Sequence, residues 1–187
     1  MKSYFNKFYM YLKKDTWDSW IVSLILIIVF IKLVFFPVLS LILGTSLPLV
    51  VIESCSMYHS SGFESWWNSN EGYYETRGIS NEQFKEFGFK DGLNKGDIIL
   101  LWGHSDIVLG DVIVFNADTI HPLIHRVVET SPLGTKGDNN SDQLSIEKNI
   151  SESKVIGKSV FRIPFIGWVK LIFFEPFREK SQRGFCT

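Results

Sequence analysis

Residues 96–103 read GDIILLWG and residues 110–117 read GDVIVFNA. Each is a short run rich in β-branched residues, entered through Gly-Asp and left through Gly or Asn, which is the pattern of a strand held between turns. Turn geometry accounts for both Gly-Asp pairs without any chemistry. The pattern recurs in LIHRVVET (123–130) and KVIGKSVFRI (154–163), and upstream in LPLVVIE (47–53). These segments predict a mainly β domain.

Ahead of them lies a different solvent problem. From Trp20 to Leu43 the chain reads WIVSLILIIVFIKLVFFPVLSLIL, 24 residues broken by one charge, Lys32, and one proline, Pro37. As a helix this reaches roughly 36 Å, enough to cross a hydrocarbon core of about 30 Å. Lys32 costs about 3 kcal/mol at mid-membrane unless it snorkels or meets a partner helix. A cleavable secretory signal has a shorter apolar region, so the segment reads as one transmembrane helix. Lys2, Lys7, Lys13 and Lys14 precede it against two acids. That bias predicts a cytoplasmic N-terminus and a domain on the outer face, a single-pass arrangement.

The remaining length suits one domain of ordinary size. With 45% hydrophobic and 21% charged residues the chain is not of the disordered class. Its 19 basic residues are balanced by 20 acidic ones, a formal charge of −1, which argues against nucleic acid as a partner. Two cysteines, Cys55 and Cys186, make no disulfide framework, and Cys55 reads as a small buried side chain. Residues 58–90 form a polar and aromatic excursion without a clean period, with one short helix expected around Asn81 to Phe87. Trp66, Trp67, Tyr73 and Tyr74 suit a lipid interface, a peptide groove or a small core of their own. The stretch Ile163 to Phe177 is too short and charged to span, so it packs on the domain or lies at the interface, with Arg178, Lys180 and Arg183 suited to headgroups.

The chemistry-bearing stretch is VVIESCSMY (50–58). Strand alternation would turn Ser54 and Ser56 to one face and Cys55 to the other, so one hydroxyl can act as nucleophile and the other as a donor beside it. A serine nucleophile needs a base. Of His59, His104, His121 and His125, only His125 sits inside a strand-like segment that would hold its ring rigidly. The acid that orients the imidazole is sought in TKGDNNSD, where Asp138 and Asp142 follow His125 by 13 and 17 residues. His121 and His125 have the spacing of a zinc pair on a helix, but Pro122 and the β-branched run oppose a helix. Asp138, Asn140 and Asp142 open like a calcium loop that then lacks its glycine and its bidentate glutamate. Neither metal reading is kept, and the serine chemistry needs no metal or cofactor.

Taken in order, the apolar anchor, SCSM, GDIIL, GDVIVF, HRVVE, TKGDNNSD and a late GK with IGW resemble the sequence boxes of type I signal peptidases. Histidine before the arginine, where bacterial enzymes carry lysine, resembles the archaeal and endoplasmic-reticulum branch. The resemblance implies a signal-peptidase-like β catalytic domain and membrane-bound serine endopeptidase activity, removing signal peptides from secreted preproteins after a small residue. It implies Ser56 as nucleophile, His125 as general base, Asp138 and Asp142 in the acidic slots, and Ser54 with the Ser56 N–H as oxyanion donors. Implied partners are signal peptides and the lipid bilayer, with the protein translocation machinery as a candidate neighbour. The organisation expected is a cytoplasmic segment 1–19, a transmembrane helix 20–44, a catalytic domain 45–162 with insert 58–90, and a membrane-interface segment 163–187. Three features depart from the family pattern: Cys55 stands where glycine is usual, the second acid follows the first by four residues rather than about six, and the insert is longer. Two competing expectations are a non-enzymatic anchored β domain that binds extended peptides, and a Ser-Lys hydrolase using Lys85, Lys90 or Lys95.

Overall fold

A computed structural model describes residues 2–187, with the backbone alone for Lys2, Ser3 and Phe5. Met1 and the Lys2 charge of the expected cytoplasmic segment lie outside what is described. The chain divides into two units, residues 1–42 and residues 43–187.

In the first unit, helix α1 (Lys2–Leu12) turns into α2 (Trp17–Phe30), and the Ser19 hydroxyl closes the corner by donating to the carbonyls of Tyr11 and Leu12. A π-helical turn, Ile31–Phe35, joins α2 to α3 (Phe36–Leu43). Pro37 has no N–H to give the preceding turn, and the i to i−5 bond from Phe36 N–H to the Ile31 carbonyl absorbs the resulting offset. Together Trp17–Leu43 make one helix long and apolar enough to cross a membrane.

The second unit is built on a six-stranded antiparallel sheet: β1 (Leu49–Val51), β2 (Ile98–Trp102), β3 (Val112–Phe115), β4 (Leu123–Thr130), β5 (Leu133–Lys136) and β6 (Val155–Ile163), in the spatial order β1-β2-β6-β3-β4-β5. The domain is mainly β, as the apolar runs imply. The VIVF run of β3 lacks alternation because both faces are covered. Val112 and Val114 join one cluster with Ile52, Met57, Leu101 and Ile124, while Ile113 and Phe115 join another with Val127, Leu133 and Ile150. Both Gly-Asp pairs are turns. Gly96 and Gly110 have φ of +89° and +87°, and the Asp97 and Asp111 carboxylates accept from the N–H groups of Asn94 and Val108.

The insert differs from its expectation. It contains a 13-residue helix α4 (Phe63–Glu75) besides the short α5 (Asn81–Lys85). Phe63, Trp66, Trp67 and Tyr74 fall at helical spacing and bury together with Ile79, Phe84 and Val128. These aromatics make a small core of their own. After β6, α6 (Trp168–Phe174) buries Leu171 and exposes Val169, Ile172 and Phe173, and Phe165, Ile166 and Phe177 on either side of it are exposed as well.

Candidate active site

Strand β1 ends at Val51, short of the serines, and the chain enters a turn closed by the bond from Tyr58 N–H to the Cys55 carbonyl. The turn nevertheless brings the hydroxyls of Ser54 and Ser56 within 3.2 Å of each other. Asn139 ties this turn to the one after β5: its N–H donates to the Ser56 carbonyl at 2.7 Å and its side-chain amide to the Cys55 carbonyl at 3.1 Å. Gly137 makes the approach possible. A Cβ there would lie 2.8 Å from His125 Nε2 and 2.9 Å from the Ser56 carbonyl.

His125 lies on β4 with its Nε2 3.0 Å from Ser56 Oγ. Its Nδ1 bonds Glu147 Oε1, from a 3-10 turn at Ser145–Glu147. Glu147 is fully buried, takes the Leu144 N–H on Oε2 at 2.7 Å, and accepts the Thr135 hydroxyl on Oε1 at 3.3 Å. An ionised carboxylate cannot donate, so Nδ1 carries the proton and Nε2 is free to accept from the serine hydroxyl.

The two acids named from sequence stand elsewhere. Neighbouring strand residues point to opposite faces, so a carboxylate on the Arg126 side of β4 cannot serve His125. Register makes the division visible: Val127 pairs with Thr135 on the His125 face, and Arg126 pairs with Lys136 on the other. Asp138 joins that second face. It takes two bonds from Arg126 at 2.9 and 2.8 Å and one from His59 Nε2 at 2.9 Å, all three residues being buried. Burial alone would push the Asp138 carboxyl up, but Arg126 and His59 hold it well below the usual carboxylate range. Asp142 accepts from its neighbour Gln143 N–H and lies on the cavity beside His125. Neither acid reaches the ring. Glu147 was missed because acids recur at 142, 147 and 152, and nothing in their spacing marks the one a 3-10 turn will aim inward.

Of the other histidines, His59 is buried and stacked on Trp66 at 3.7 Å, while His104 and His121 are exposed. The lysines of the Ser-Lys alternative are paired elsewhere, Lys85 with Glu64, Lys90 with Asp91 and Lys95 with Glu175. Burial pushes the Lys136 ammonium down to about 8, and it bonds the carbonyls of Gly137 and Asp138.

Cys55 is bridged to Cys186, a disulfide that the pair's distance in sequence had concealed. Of the basic residues that follow α6, Arg178 binds Glu53, and the exposed Arg183 binds the carbonyls of Pro176 and Arg178. A cavity of roughly 460 Å³ opens over Ser54, Ser56 and His125, with Leu123 and Leu144 on its apolar side.

A hydroxyl, an imidazole and a buried carboxylate in line, with a second hydroxyl beside the first, is the arrangement of serine hydrolases. Similarity to known proteins narrows the class. The chain is 33% identical over 96 residues to the signal peptidase complex catalytic subunit SEC11 of Fusarium vanettenii, covering 43% of this chain and 56% of that protein. It is 32% identical over 95 residues to the SEC11 catalytic subunit of Yarrowia lipolytica, and 30% over 106 residues to that of Pyricularia oryzae, covering 43% and 48% of this chain and 55% and 62% of those proteins. The chain therefore resembles the catalytic subunits of signal peptidase complexes, and it spans about half the length of the curated relatives it matches. No protein-family model matches it.

Proposed function

We propose that the chain is a membrane-anchored serine endopeptidase that removes signal peptides from preproteins after a small residue. The observation that carries the reading is the Ser56–His125–Glu147 line, found in a chain similar to signal peptidase catalytic subunits. Ser56 Oγ attacks the scissile carbonyl while His125 Nε2 takes its proton, and Glu147 stabilises the resulting imidazolium through Nδ1–H. The tetrahedral oxyanion is received by the Ser54 hydroxyl and the Ser56 N–H, to which no acceptor is bonded among the described residues. His125 then passes its proton to the leaving amine. Water hydrolyses the ester by the same relay.

The location we infer is a single pass of membrane, N-terminus in the cytoplasm and catalytic domain on the outer face. The lysines before the apolar helix support this, and so does the Cys55–Cys186 disulfide, since such bonds persist in oxidising compartments. Exposed Phe165, Val169, Phe173 and Phe177 suit a domain that rests on the interface. A substrate that is itself a membrane helix then meets the catalyst at raised effective concentration.

The test is cleavage of a radiolabelled preprotein by the full chain in proteoliposomes. Wild type should yield the mature product, and S56A and H125A should lose at least about 10³-fold in rate. Near-normal cleavage by either variant would overturn the assignment. Binding of an extended peptide without cleavage by wild type would favour the non-enzymatic reading.

A further inference from the structure

Residues 175–187 fold back against the turn that bears the serines. Arg178 donates to the Glu53 carbonyl at 2.9 Å and to its carboxylate at 2.5 Å. Lys95, 1% exposed, donates to the Gln182 carbonyl at 2.7 Å and pairs with Glu175 at 2.8 Å. The Phe185 ring lies 4.5 Å from that of Trp168, and Cys186 is bridged to Cys55, the residue between the two serines.

Between this segment and residues 53–55 lies a second cavity, of roughly 390 Å³, with Arg178, Gln182, Phe185 and Cys186 on its far wall. Ser54 borders this cavity and also the one over Ser56 and His125. The two spaces therefore have Ser54 as a shared wall, beside the nucleophile.

Most of the wall is exposed: Lys180, Ser181, Gln182, Arg183 and Gly184 bury little. Few apolar contacts oppose the entropy of releasing it, so its position depends on the polar locks and the disulfide. A wall already in place spares an incoming chain the cost of ordering it. Its Arg178 guanidinium is balanced by Glu53, its Arg183 guanidinium is held by the carbonyls of Pro176 and Arg178, and it offers backbone groups and one aromatic ring, chemistry that fits an extended polypeptide, uncharged or carrying an acidic residue.

We propose that residues 178–186 form a specificity subsite, which receives the stretch of substrate that leaves the scissile bond past Ser54, and that the Cys55–Cys186 disulfide sets affinity for that stretch by holding the wall in place. The proposal rests on the endopeptidase reading above and gives that site a second substrate-binding wall.

The experiment uses the full chain in detergent micelles without reductant, and three peptide substrates: one extended on both sides of the scissile bond, and two shortened on one side each. In wild type, shortening the flank that crosses Ser54 should raise KM about tenfold, and shortening the other should leave this subsite's contribution intact. In C186S the KM of the extended substrate should rise to that of the substrate lacking the Ser54-side flank, with kcat for the extended substrate within about twofold. Equal changes for all three substrates in a cooperatively melting C186S, or wild-type KM values independent of both flanks, would overturn the subsite. If C186S does not fold, a benzophenone in the flank of a substrate bound to wild type decides. Crosslinks within 178–186 support the wall, and crosslinks confined to other segments refute it. Wild type that cleaves none of the peptides would refute the endopeptidase reading, and the subsite with it.

Discussion

Replacing Glu147 by glutamine should cripple the site while nearly preserving its shape. Glu147 Oε2 holds the Leu144 N–H at 2.7 Å, and Oε1 faces His125 Nδ1. A glutamine carbonyl must stay on the Leu144 N–H, because turning the amide would face two donors and leave a part-buried N–H unpaired, at about 1 to 3 kcal/mol. The amide nitrogen then meets Nδ1, which must become an acceptor, so the ring proton moves to Nε2 and confronts the Ser56 hydroxyl. Restoring the productive tautomer costs that penalty. Losing the charged partner of the imidazolium adds about 1.5 to 3 kcal/mol, giving a fall of roughly 10² to 10⁴ in kcat. Rates of preprotein cleavage in proteoliposomes measure it, with the melting temperature as a check on folding. D142N removes a carboxylate that reaches no ring nitrogen and should be less harmful by at least about tenfold. A folded E147Q that keeps more than about a third of the wild-type rate, or a D142N as damaging as E147Q, would refute the orienting role.

Three further outcomes are expected. S54A should lower kcat by about 10²-fold with little change in KM, because it removes a donor used when the oxyanion forms; an unchanged kcat would exclude that role. G137A forces a methyl to within 2.8 Å of His125 Nε2 and 2.9 Å of the Ser56 carbonyl, and should cost about 1 to 3 kcal/mol in urea titration together with most of the activity. D138N breaks a fully buried pair with Arg126 and should destabilise by about 3 to 5 kcal/mol. Since the Asp138 carboxyl is depressed in the fold, the unfolded chain takes up its proton first, so its stabilisation is complete above about pH 4 and fades as pH falls from there. Urea midpoints measured against pH should show this acid limb flattened in D138N.

Local pattern carried much of the architecture. Strand runs bounded by Gly-Asp, and one long apolar helix, are written in neighbouring residues, and a strand buried on both faces, as β3 is, needs just such an unalternating run. Helix α4 was less legible because its apolar positions are diluted by Ser, Asn and Gly, residues that favour helices weakly in isolation; packing against Phe84 and Val128 overrides that preference. Hydroxyl and imidazole could be named as candidates because few residue types can do that work and the boxes recur in order.

What the sequence by itself determined is therefore the chemistry available: a mainly β domain, a membrane-length helix, two close serines and a strand histidine. Only the tertiary structure decided the partners. It set Glu147 on His125, turned Asp138 to Arg126 on the opposite face of β4, and closed Cys55 onto Cys186 across a separation of 131 residues. The reason is geometric. Side-chain identity and strand period are local properties, whereas which acid meets which ring depends on strand register and on how the turns after β1 and β5 come together, and that is specified by the packing of the whole domain.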